Sequence, residues 1–348
     1  ELLREGWAWA STSRRRAGFG IARAGEDTEN ARRAAVAAFG QPAVTVLHGQ
    51  SWGGAVAARL IETGNAPDAS GRRPWDAALL TAAVLAGPTR AYDMRVDLRA
   101  GFQVVCGTHP APHETQYDVT LGLPEGVRMT REEVITRYLA CTGADLAPAS
   151  RTATQRTALA DLAAASRIPE HALPGHLWWA TQNFADIARN MTEGRSAFGN
   201  EGVRYRRIAA DPAARARLAA DGDPTGEIAV PVLTLHGTGD ATVFVENGAA
   251  YRETVERAGN AARLAQVFVD ESEHTKLSAV LYPAALAALR EWVESGRRPT
   301  PEDVRTRCEA MRDTYGGDCR VLPDYVPQPW EARVNPRSEA GAMTARVR

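Results

Sequence analysis

The sequence has very little lysine, few cysteines and almost no net charge. Lys276 is the single lysine, and the other basic residues are arginines. We interpret this bias as a property of a GC-rich genome and not of function. The 348 residues include 41 basic and 42 acidic side chains, which gives a formal net charge of -1. Because nucleic acids and anionic membranes attract basic proteins, this balance argues against both as partners.

The sequence also lacks a long apolar run. No stretch of about 20 apolar residues occurs, so no transmembrane helix is predicted. No signal peptide is visible, and the first residue is Glu1, not methionine, so we expect a processed or truncated chain from which an export signal could already be gone. With 44% hydrophobic residues, the chain has enough apolar material for one large globular domain or two ordinary ones.

The four cysteines fall into two locally separated pairs, Cys106 with Cys141 and Cys308 with Cys319. Two disulfides in this pairing are the economical interpretation, although three pairings are possible and four buried free thiols are the alternative. Disulfides persist outside the cytoplasm, so this pairing predicts a secreted or periplasmic protein. Neither pair has the C-x-x-C spacing of a zinc site, and no metal or organic cofactor is predicted.

One motif present in the sequence is typical of nucleophilic catalysis. Residues 49–53 read Gly-Gln-Ser-Trp-Gly and follow the apolar run 43–48. A small, apolar, helix-favouring segment comes next, so the order strand, tight turn, helix is visible. Such a turn can present a serine hydroxyl to a base, and Gly49 and Gly53 are expected to leave room for it. Ser51 is therefore the candidate nucleophile.

Apolar strand patterns alternate with helical patterns, which predicts a parallel sheet with crossover helices. Strands are predicted at 7–12, 43–48, 77–85, 228–236 and 264–269. Helices are predicted at 26–39, 52–62, 130–141, 152–166, 172–190, 246–259 and 278–295. From Gly87 to about Ile228 the pattern is helical with few convincing strands, which indicates an inserted helical cap.

Four parts follow from this pattern. Residues 1–86 are the first part of the core and contain Ser51, and residues 87–228 are the cap. Residues 229–295 complete the core. Residues 296–348 form a C-terminal extension that is rich in proline and arginine, and we expect it to pack irregularly.

Two later strand ends offer an acid and a base for Ser51. The segment 236–240 leaves one buried strand and ends at Asp240, and the segment 270–274 leaves the next and ends at His274. Active-site groups of open parallel sheets gather at the carboxyl edge, where such loops meet. A serine nucleophile needs a histidine to take its proton and a carboxylate to orient that histidine. Asp240 and His274 are the candidates for these roles.

Other carboxylates compete with Asp240. Asp240 itself could simply cap the following turn, which is a common role for aspartate. Asp270 and Glu273 are nearer to His274 in sequence, but neither lies at the end of the neighbouring strand.

Other histidines compete with His274. His48 and His236 lie at strand ends, and we expect structural roles for both. His109 and His113 have the i, i+4 spacing of a metal pair, but the prolines between them argue against a helix and hence against a metal site. The two histidines of the predicted cap are expected to be surface or packing residues; they are His171 and His176.

The chain order Ser51, Asp240, His274 resembles that of the α/β-hydrolase superfamily. The segment 235–243 is similar to the acid loop of that family, and the resemblance covers roughly residues 1–295. It implies an α/β-hydrolase fold, in which a mostly parallel sheet is flanked by helices and a helical cap sits over the pocket.

The resemblance also implies an oxyanion hole. The backbone N–H of Trp52 would supply one donor, and a loop between an early strand and the first helix would supply the second. In this chain that loop would precede Glu1, so the early strands are expected to be missing or replaced.

Trp178 and Trp179 are adjacent in the predicted cap, so they cannot both face inward on one helix. They either pack the cap or give one aromatic wall to a pocket for the acyl or alcohol group of a substrate.

The resemblance implies a serine hydrolase that cleaves small-molecule or polymer-derived carboxylic esters without a cofactor. The chain is similar to capped secreted esterases of the feruloyl esterase or tannase type, although Gln50 and Glu273 stand where some of them place a cysteine pair. Two alternatives stay open, a peptidase or amidase of the prolyl-oligopeptidase kind and a non-catalytic binding protein on a hydrolase fold. The sequence does not indicate the oligomeric state.

Overall fold

A computed structural model describes residues 1–199 and 208–334 of the chain. The chain divides into two compact units. The first unit is Glu1–Gly87 with Asp221–Trp330, and the second contains the described residues of Pro88–Ala220 together with Glu331–Val334. The functional division into core, cap and extension stays a prediction.

The described residues contain four strands and twelve α-helices, with three short 3₁₀ turns. The strands are β1 (Val46–Gln50), β2 (Ala77–Thr81), β3 (Val232–Gly237) and β4 (Leu264–Val269). The helices are α1 (Ile21–Phe39), α2 (Trp52–Thr63), α3 (Pro88–Ala91), α4 (Met94–Cys106), α5 (Arg131–Thr142), α6 (Ala153–Ser166), α7 (Leu173–Asn190), α8 (Pro212–Gly222), α9 (Glu246–Arg257), α10 (Leu281–Ser295), α11 (Pro301–Tyr315) and α12 (Trp330–Arg333). The 3₁₀ turns are Pro148–Ser150, Glu170–Ala172 and Ala261–Arg263.

All four strands belong to one parallel sheet of the first unit, in the order β1–β2–β3–β4. Strands β2 and β3 are buried along their whole length, as expected for a parallel sheet that is covered on both faces. Strand β1 alternates between buried and less buried residues. The parallel sheet flanked by helices is therefore confirmed, and it is consistent with an α/β-hydrolase fold.

Side chains of successive strand residues point to opposite faces of the sheet, and each face has its own core. Strand residues such as Leu79, Leu235 and Val267 pack with α10 and α11 on one face. Leu80, Val232 and Leu264 belong to the core of the other face, with α2 and α9. The carboxyl ends of the strands are thus held between two apolar layers.

The strand predicted at 7–12 is wrong, since none covers those residues in the part of the chain that the structure describes. Trp7 packs at the margin of one core, whereas Trp9 is 72% exposed. A segment with alternating apolar residues forms a strand only where a neighbouring strand takes up its backbone hydrogen bonds. The sequence pattern of residues 7–12 does not reveal whether such a neighbouring strand is present.

Five of the helices were not predicted, namely α3, α4, α8, α11 and α12. Helix α4 buries charged residues, including Arg95 and Arg99, together with its apolar ones. Helix α11 corrects the expectation of an irregular extension. It begins with a capping box between Thr300 and Asp303 and has Pro301 in its first turn, which are start signals that the sequence does contain.

Both disulfides expected from the cysteine positions are present. Cys106–Cys141 joins the ends of α4 and α5, and Cys308–Cys319 joins α11 to the segment that follows it. The Cα atoms are 5.7 Å apart in each bridge. Across the two described ranges, no helix combines the length and the apolar character needed to cross a membrane.

Removal of either disulfide should lower the unfolding free energy. The decrease should be larger for the disulfide that closes the longer loop, because that cross-link restricts the unfolded chain more. The bridged residues are 35 positions apart for Cys106–Cys141 and 11 for Cys308–Cys319. The double serine variants should lose about 4 and about 3 kcal/mol of unfolding free energy, respectively. Urea denaturation followed by circular dichroism measures both losses, and wild-type stability in either variant would contradict the expectation.

Candidate active site

Ser51 lies in a sharp turn between β1 and α2, with φ 56° and ψ -125°. A non-glycine residue with positive φ is strained by about 1–3 kcal/mol, so surrounding contacts must hold it. The Ser51 N–H donates to Thr81 O at 3.0 Å, and Ser51 O accepts from Val84 N–H at 3.1 Å. These bonds to the β2 end of the sheet fix the strained turn at the carboxyl edge.

Glycine is required next to Ser51, but not at both positions that the sequence suggested. A Cβ atom on Gly49 would overlap Gly53 O and would lie 2.8 Å from Ala57 Cβ. A Cβ atom on Gly53 would meet no described atom within 4 Å, whereas one on Gly54 would overlap Ala83 Cβ. The close approach of α2 to the end of β2 therefore depends on Gly54, and the role expected for Gly53 is wrong.

Ser51, His274 and Asp240 form a continuous chain of hydrogen bonds. His274 Nε2 lies 2.7 Å from Ser51 Oγ, and His274 Nδ1 lies 2.7 Å from Asp240 Oδ2. A carboxylate only accepts hydrogen bonds, so Nδ1 carries the proton and Nε2 is free to accept the Ser51 hydroxyl proton. The three residues predicted from strand ends thus meet in the first unit, although Ser51 and His274 are 223 positions apart.

Asp240 is held by four contacts. Its Oδ1 accepts from the backbone N–H groups of Thr242 and Val243 at 2.8 and 2.9 Å. Its Oδ2 faces His274 at 2.7 Å and His236 Nε2 at 3.5 Å. Burial raises the pKa of the Asp240 carboxyl, but its contacts with His236 and His274 outweigh burial and hold that pKa well below its ordinary value. Asp240 is therefore ionised at neutral pH.

His236 supports Asp240 rather than replacing His274. Its Nε2 lies 2.8 Å from Val243 O, which is an acceptor, so this nitrogen carries a proton. The hydrogen bond to Val243 is the stronger of its two contacts, because the distance to Asp240 Oδ2 is 3.5 Å. His236 thereby ties the end of β3 to the turn that carries Asp240, which agrees with the structural role expected for it.

The loops after β3 and β4 pass very close to each other. A Cβ atom on Gly237 would lie 2.7 Å from Glu271 O, and one on Gly239 would lie 3.0 Å from Ser272 Cα. Gly239 N–H also donates to Glu271 O at 2.9 Å. These two glycines let the His274 loop approach within hydrogen-bond distance of Asp240.

The competing carboxylates lie elsewhere. Glu273 forms an ion pair with Lys276, and its side chain is 59% exposed. The backbone N–H of Asp270 donates to Arg320 O at 2.9 Å. His274 Nδ1 instead lies 2.7 Å from Asp240 Oδ2, so the geometry favours Asp240.

Trp52 is the first residue of α2, so its backbone N–H has no acceptor within the helix. This group and the positive end of the helix lie directly beside Ser51. The indole of Trp52 packs edge to face against Phe19, with 5.9 Å between ring centroids, and the Arg14 guanidinium lies 4.7 Å from its ring centroid. The role of the Trp52 backbone N–H as an oxyanion donor stays a prediction.

No protein-family model matches the sequence, and no curated protein matches it. Similar solved structures include an esterase from Rhodococcus sp. ECU1013, which is 18% identical, with 80% of this chain and 74% of that chain covered and a TM-score of 0.32. An esterase from Aspergillus oryzae is 12% identical over 82% of this chain and 68% of that one, with a TM-score of 0.43. Feruloyl esterase B from Aspergillus oryzae is 14% identical, with 80% and 64% covered and a TM-score of 0.37.

Two of the other histidine candidates, His109 and His48, have ring nitrogens within hydrogen-bond distance of protein hydroxyl groups. His109 Nε2 lies 3.0 Å from Thr181 Oγ1, and its Nδ1 lies 3.1 Å from the Tyr117 hydroxyl. His48 Nε2 lies 3.2 Å from Thr81 Oγ1. Within residues 1–199 and 208–334, no three His, Cys, Asp or Glu side chains are grouped so that they could hold a metal.

Trp178 and Trp179 lie in α7 of the second unit, and both are partly buried. The Trp179 ring packs edge to face against His176 at 5.3 Å, and the Arg95 guanidinium lies 5.4 Å from its centroid. Their role in substrate binding stays a prediction.

The glycines of the elbow give a sharp test of its packing. Gly54→Ala and Gly49→Ala should lower the melting temperature by several degrees, because the added methyl groups overlap neighbouring atoms. Gly53→Ala is the matched control and should melt within about two degrees of wild type, since its methyl group meets open space in a helix. Equal melting temperatures for all three variants would contradict this account.

Asp240 should make stability fall in acid. Its pKa in the folded chain lies below the ordinary value of 3.8, so the stabilisation is complete above that pH and is lost as pH falls through the folded pKa. Urea unfolding between about pH 5 and about pH 2 should therefore show a steeper loss of unfolding free energy for wild type than for Asp240→Asn. Parallel pH curves for the two proteins would show that Asp240 does not carry this effect.

Proposed function

We propose that this chain is a serine hydrolase that cleaves carboxylic esters through an acyl-enzyme. The observation that carries the proposal is the hydrogen-bond chain from Ser51 Oγ to His274 and from His274 to Asp240, with 2.7 Å at each step. Nucleophile, base and orienting acid are then in the order that serine hydrolysis requires.

In the proposed reaction, Ser51 Oγ attacks the ester carbonyl while His274 Nε2 takes its proton. Asp240 keeps the Nδ1 proton of His274 in place and stabilises the imidazolium that forms. The alcohol leaves with the proton from His274, and the acyl group stays on Ser51. Water then attacks the acyl-enzyme, with His274 again as the base, and releases the acid.

The negative charge that develops on the carbonyl oxygen needs hydrogen-bond donors. The Trp52 backbone N–H is the donor that we propose, because it begins α2 beside Ser51 and has no helical acceptor. One such donor contributes about 10²–10³-fold to kcat in a serine hydrolase.

We infer that the substrate is a small-molecule or polymer-derived ester and that the protein works outside the cytoplasm. The preference for esters follows from the resemblance to capped secreted esterases, whereas the order of Ser51, Asp240 and His274 is that of the whole superfamily. The location follows from the two disulfides, which are compatible with an oxidising compartment. One of the two adjacent residues Trp178 and Trp179 is proposed to give an aromatic wall to the pocket for the acyl or alcohol group.

Hydrolysis of p-nitrophenyl acyl esters, set against aminoacyl p-nitroanilides, tests the function. Wild type should release p-nitrophenol with burst kinetics, and Ser51→Ala should lose about 10⁴-fold or more of kcat. Asp240→Asn should lose about 10⁴-fold because His274 would hold its proton on the wrong nitrogen. The matched control is Ser70→Ala, since Ser70 is exposed on the loop before β2.

Two outcomes would favour the alternatives. Turnover of the anilides alone would identify a peptidase or amidase and remove the esterase proposal. A folded wild-type protein whose Ser51 is not labelled by a fluorophosphonate probe would favour a binding protein.

A further inference from the structure

The loop that carries His274 has little structure of its own. Four of the residues around His274 are exposed, namely Ser272, Glu273, Thr275 and Lys276. The ends of the loop lie at Val269, where β4 ends, and at the buried Leu277. A segment with few buried contacts opens easily unless its ends are held. The geometry at His274 therefore depends on what holds the two ends.

Residues 317–322 of the C-terminal segment hold the first end. Val321 forms an antiparallel bridge with Val269. Leu322 N–H donates to Phe268 O at 2.8 Å, and Asp270 N–H donates to Arg320 O at 2.9 Å. The segment thus runs along the outer side of β4 at the point where the His274 loop begins.

The same segment holds the other end. The Asp318 backbone N–H donates to Ser278 Oγ at 2.8 Å. Gly317 lies so close that a Cβ atom there would overlap the same oxygen, and its φ of +91° also favours glycine. Both ends of the loop, at residues 269–271 and at Ser278, are therefore in contact with residues 317–322.

Arg320 connects this segment to the acid loop as well. Its Nη2 lies 3.1 Å from both carboxylate oxygens of Glu271. The Glu271 side chain is 14% exposed and the Arg320 side chain is 49% exposed, so a half-exposed guanidinium contacts a carboxylate that is mostly buried. Glu271 O in turn accepts from Gly239 N–H, next to Asp240. A path of direct contacts thus runs from Arg320 through Glu271 to the residues that orient His274.

The Cys308–Cys319 disulfide anchors the segment. Cys308 is fully buried in α11 and belongs to the core that α10 shares with the sheet. Cys319 stands directly before Arg320, so the covalent bond transfers the fixed position of α11 to the residues that touch the His274 loop.

We propose that residues 317–322, fixed by Cys308–Cys319, form a C-terminal clamp that positions His274 between Ser51 and Asp240, with Arg320 as its main positioning residue. This rests on the proposed function. The clamp sets the distance and angle of the imidazole, and a displacement of about 1 Å in such a group can cost 10²-fold in rate.

The experiment compares Arg320→Ala, Arg320→Lys and the double variant Cys308→Ser/Cys319→Ser with wild type, at a temperature where circular dichroism shows all of them folded. We expect kcat for p-nitrophenyl acetate to fall about tenfold in Arg320→Ala and by more in the double variant. KM should stay within about twofold, because the clamp acts on the transition state and not on substrate binding. Arg320→Lys should recover part of kcat, since it keeps the charge beside Glu271.

Two matched controls separate positioning from general stability. Arg305→Ala removes an exposed Arg–Glu pair on α11, where Arg305 Nη2 lies 2.7 Å from Glu302 Oε1. Cys106→Ser/Cys141→Ser removes the disulfide that the clamp does not use. Both controls should keep wild-type kcat. Wild-type kcat in Arg320→Ala, or an equal loss in Arg305→Ala, would overturn the clamp.

A readout that does not need turnover distinguishes failure of the clamp from failure of the proposed function. Proton NMR should show a downfield resonance from His274 Nδ1–H in its hydrogen bond to Asp240. We expect this resonance in wild type and Arg305→Ala, and its loss or broadening in Arg320→Ala. If no ester is hydrolysed but the resonance changes as expected, the esterase proposal fails and the clamp stands. An unchanged resonance in Arg320→Ala overturns the clamp.

Discussion

Because β3 and β4 run in the same direction, with Val232 beside Leu264 and Gly237 beside Val269, the loops that leave them emerge at the same edge. Everything in the candidate site depends on this pairing. It brings Asp240 and His274 together from separate loops, and β2 carries the bonds that hold Ser51 at the same edge. Gly237, at the end of β3, and Gly239, in the loop that follows, then let Asp240 and His274 approach each other to hydrogen-bond distance.

The site combines burial with charge, which is costly unless the charge is compensated. The Asp240 side chain is 1% exposed, yet every one of its contacts is with a donor. Two donors are backbone N–H groups of its own turn, so they do not move away when His274 changes its protonation state. The carboxylate is therefore stabilised before any substrate is present, which is the condition for electrostatic preorganisation.

The sheet and the three residues of the hydrogen-bond chain could be read from the sequence because they depend on local patterns. Buried parallel strands give continuous apolar runs, and β4 was predicted with its exact bounds. Ser51, Asp240 and His274 follow such runs directly. The requirement for glycine at position 54 was missed because it comes from the close approach of Ala83, which is distant in the chain.

The C-terminal segment shows why the rest could not be predicted. Its contacts with Phe268, Asp270 and Ser278 are mostly made by backbone atoms, which leave no trace in residue type. Arg320 and Glu271 are one of many possible Arg–Glu pairs in a chain with 41 basic and 42 acidic residues. The local signals were the second cysteine pair and the capping residues of α11, which indicate structure within the extension but not what the extension contacts.

The strand order carries a consequence for how the chain is made. β2 and β3 are neighbours in the sheet, but Thr81 and Val232 are separated in sequence by most of the second unit. The great length of this connecting segment adds little to the entropic cost of closing it, because each doubling of loop length adds only about 0.6 kcal/mol. We nevertheless expect β2 and β3 to pair later in folding than β1 and β2, because β1, α2 and β2 are contiguous in sequence. On the ribosome, Ser51 is therefore synthesised 223 residues before His274, and a nascent chain carries the nucleophile without the base until His274 has emerged.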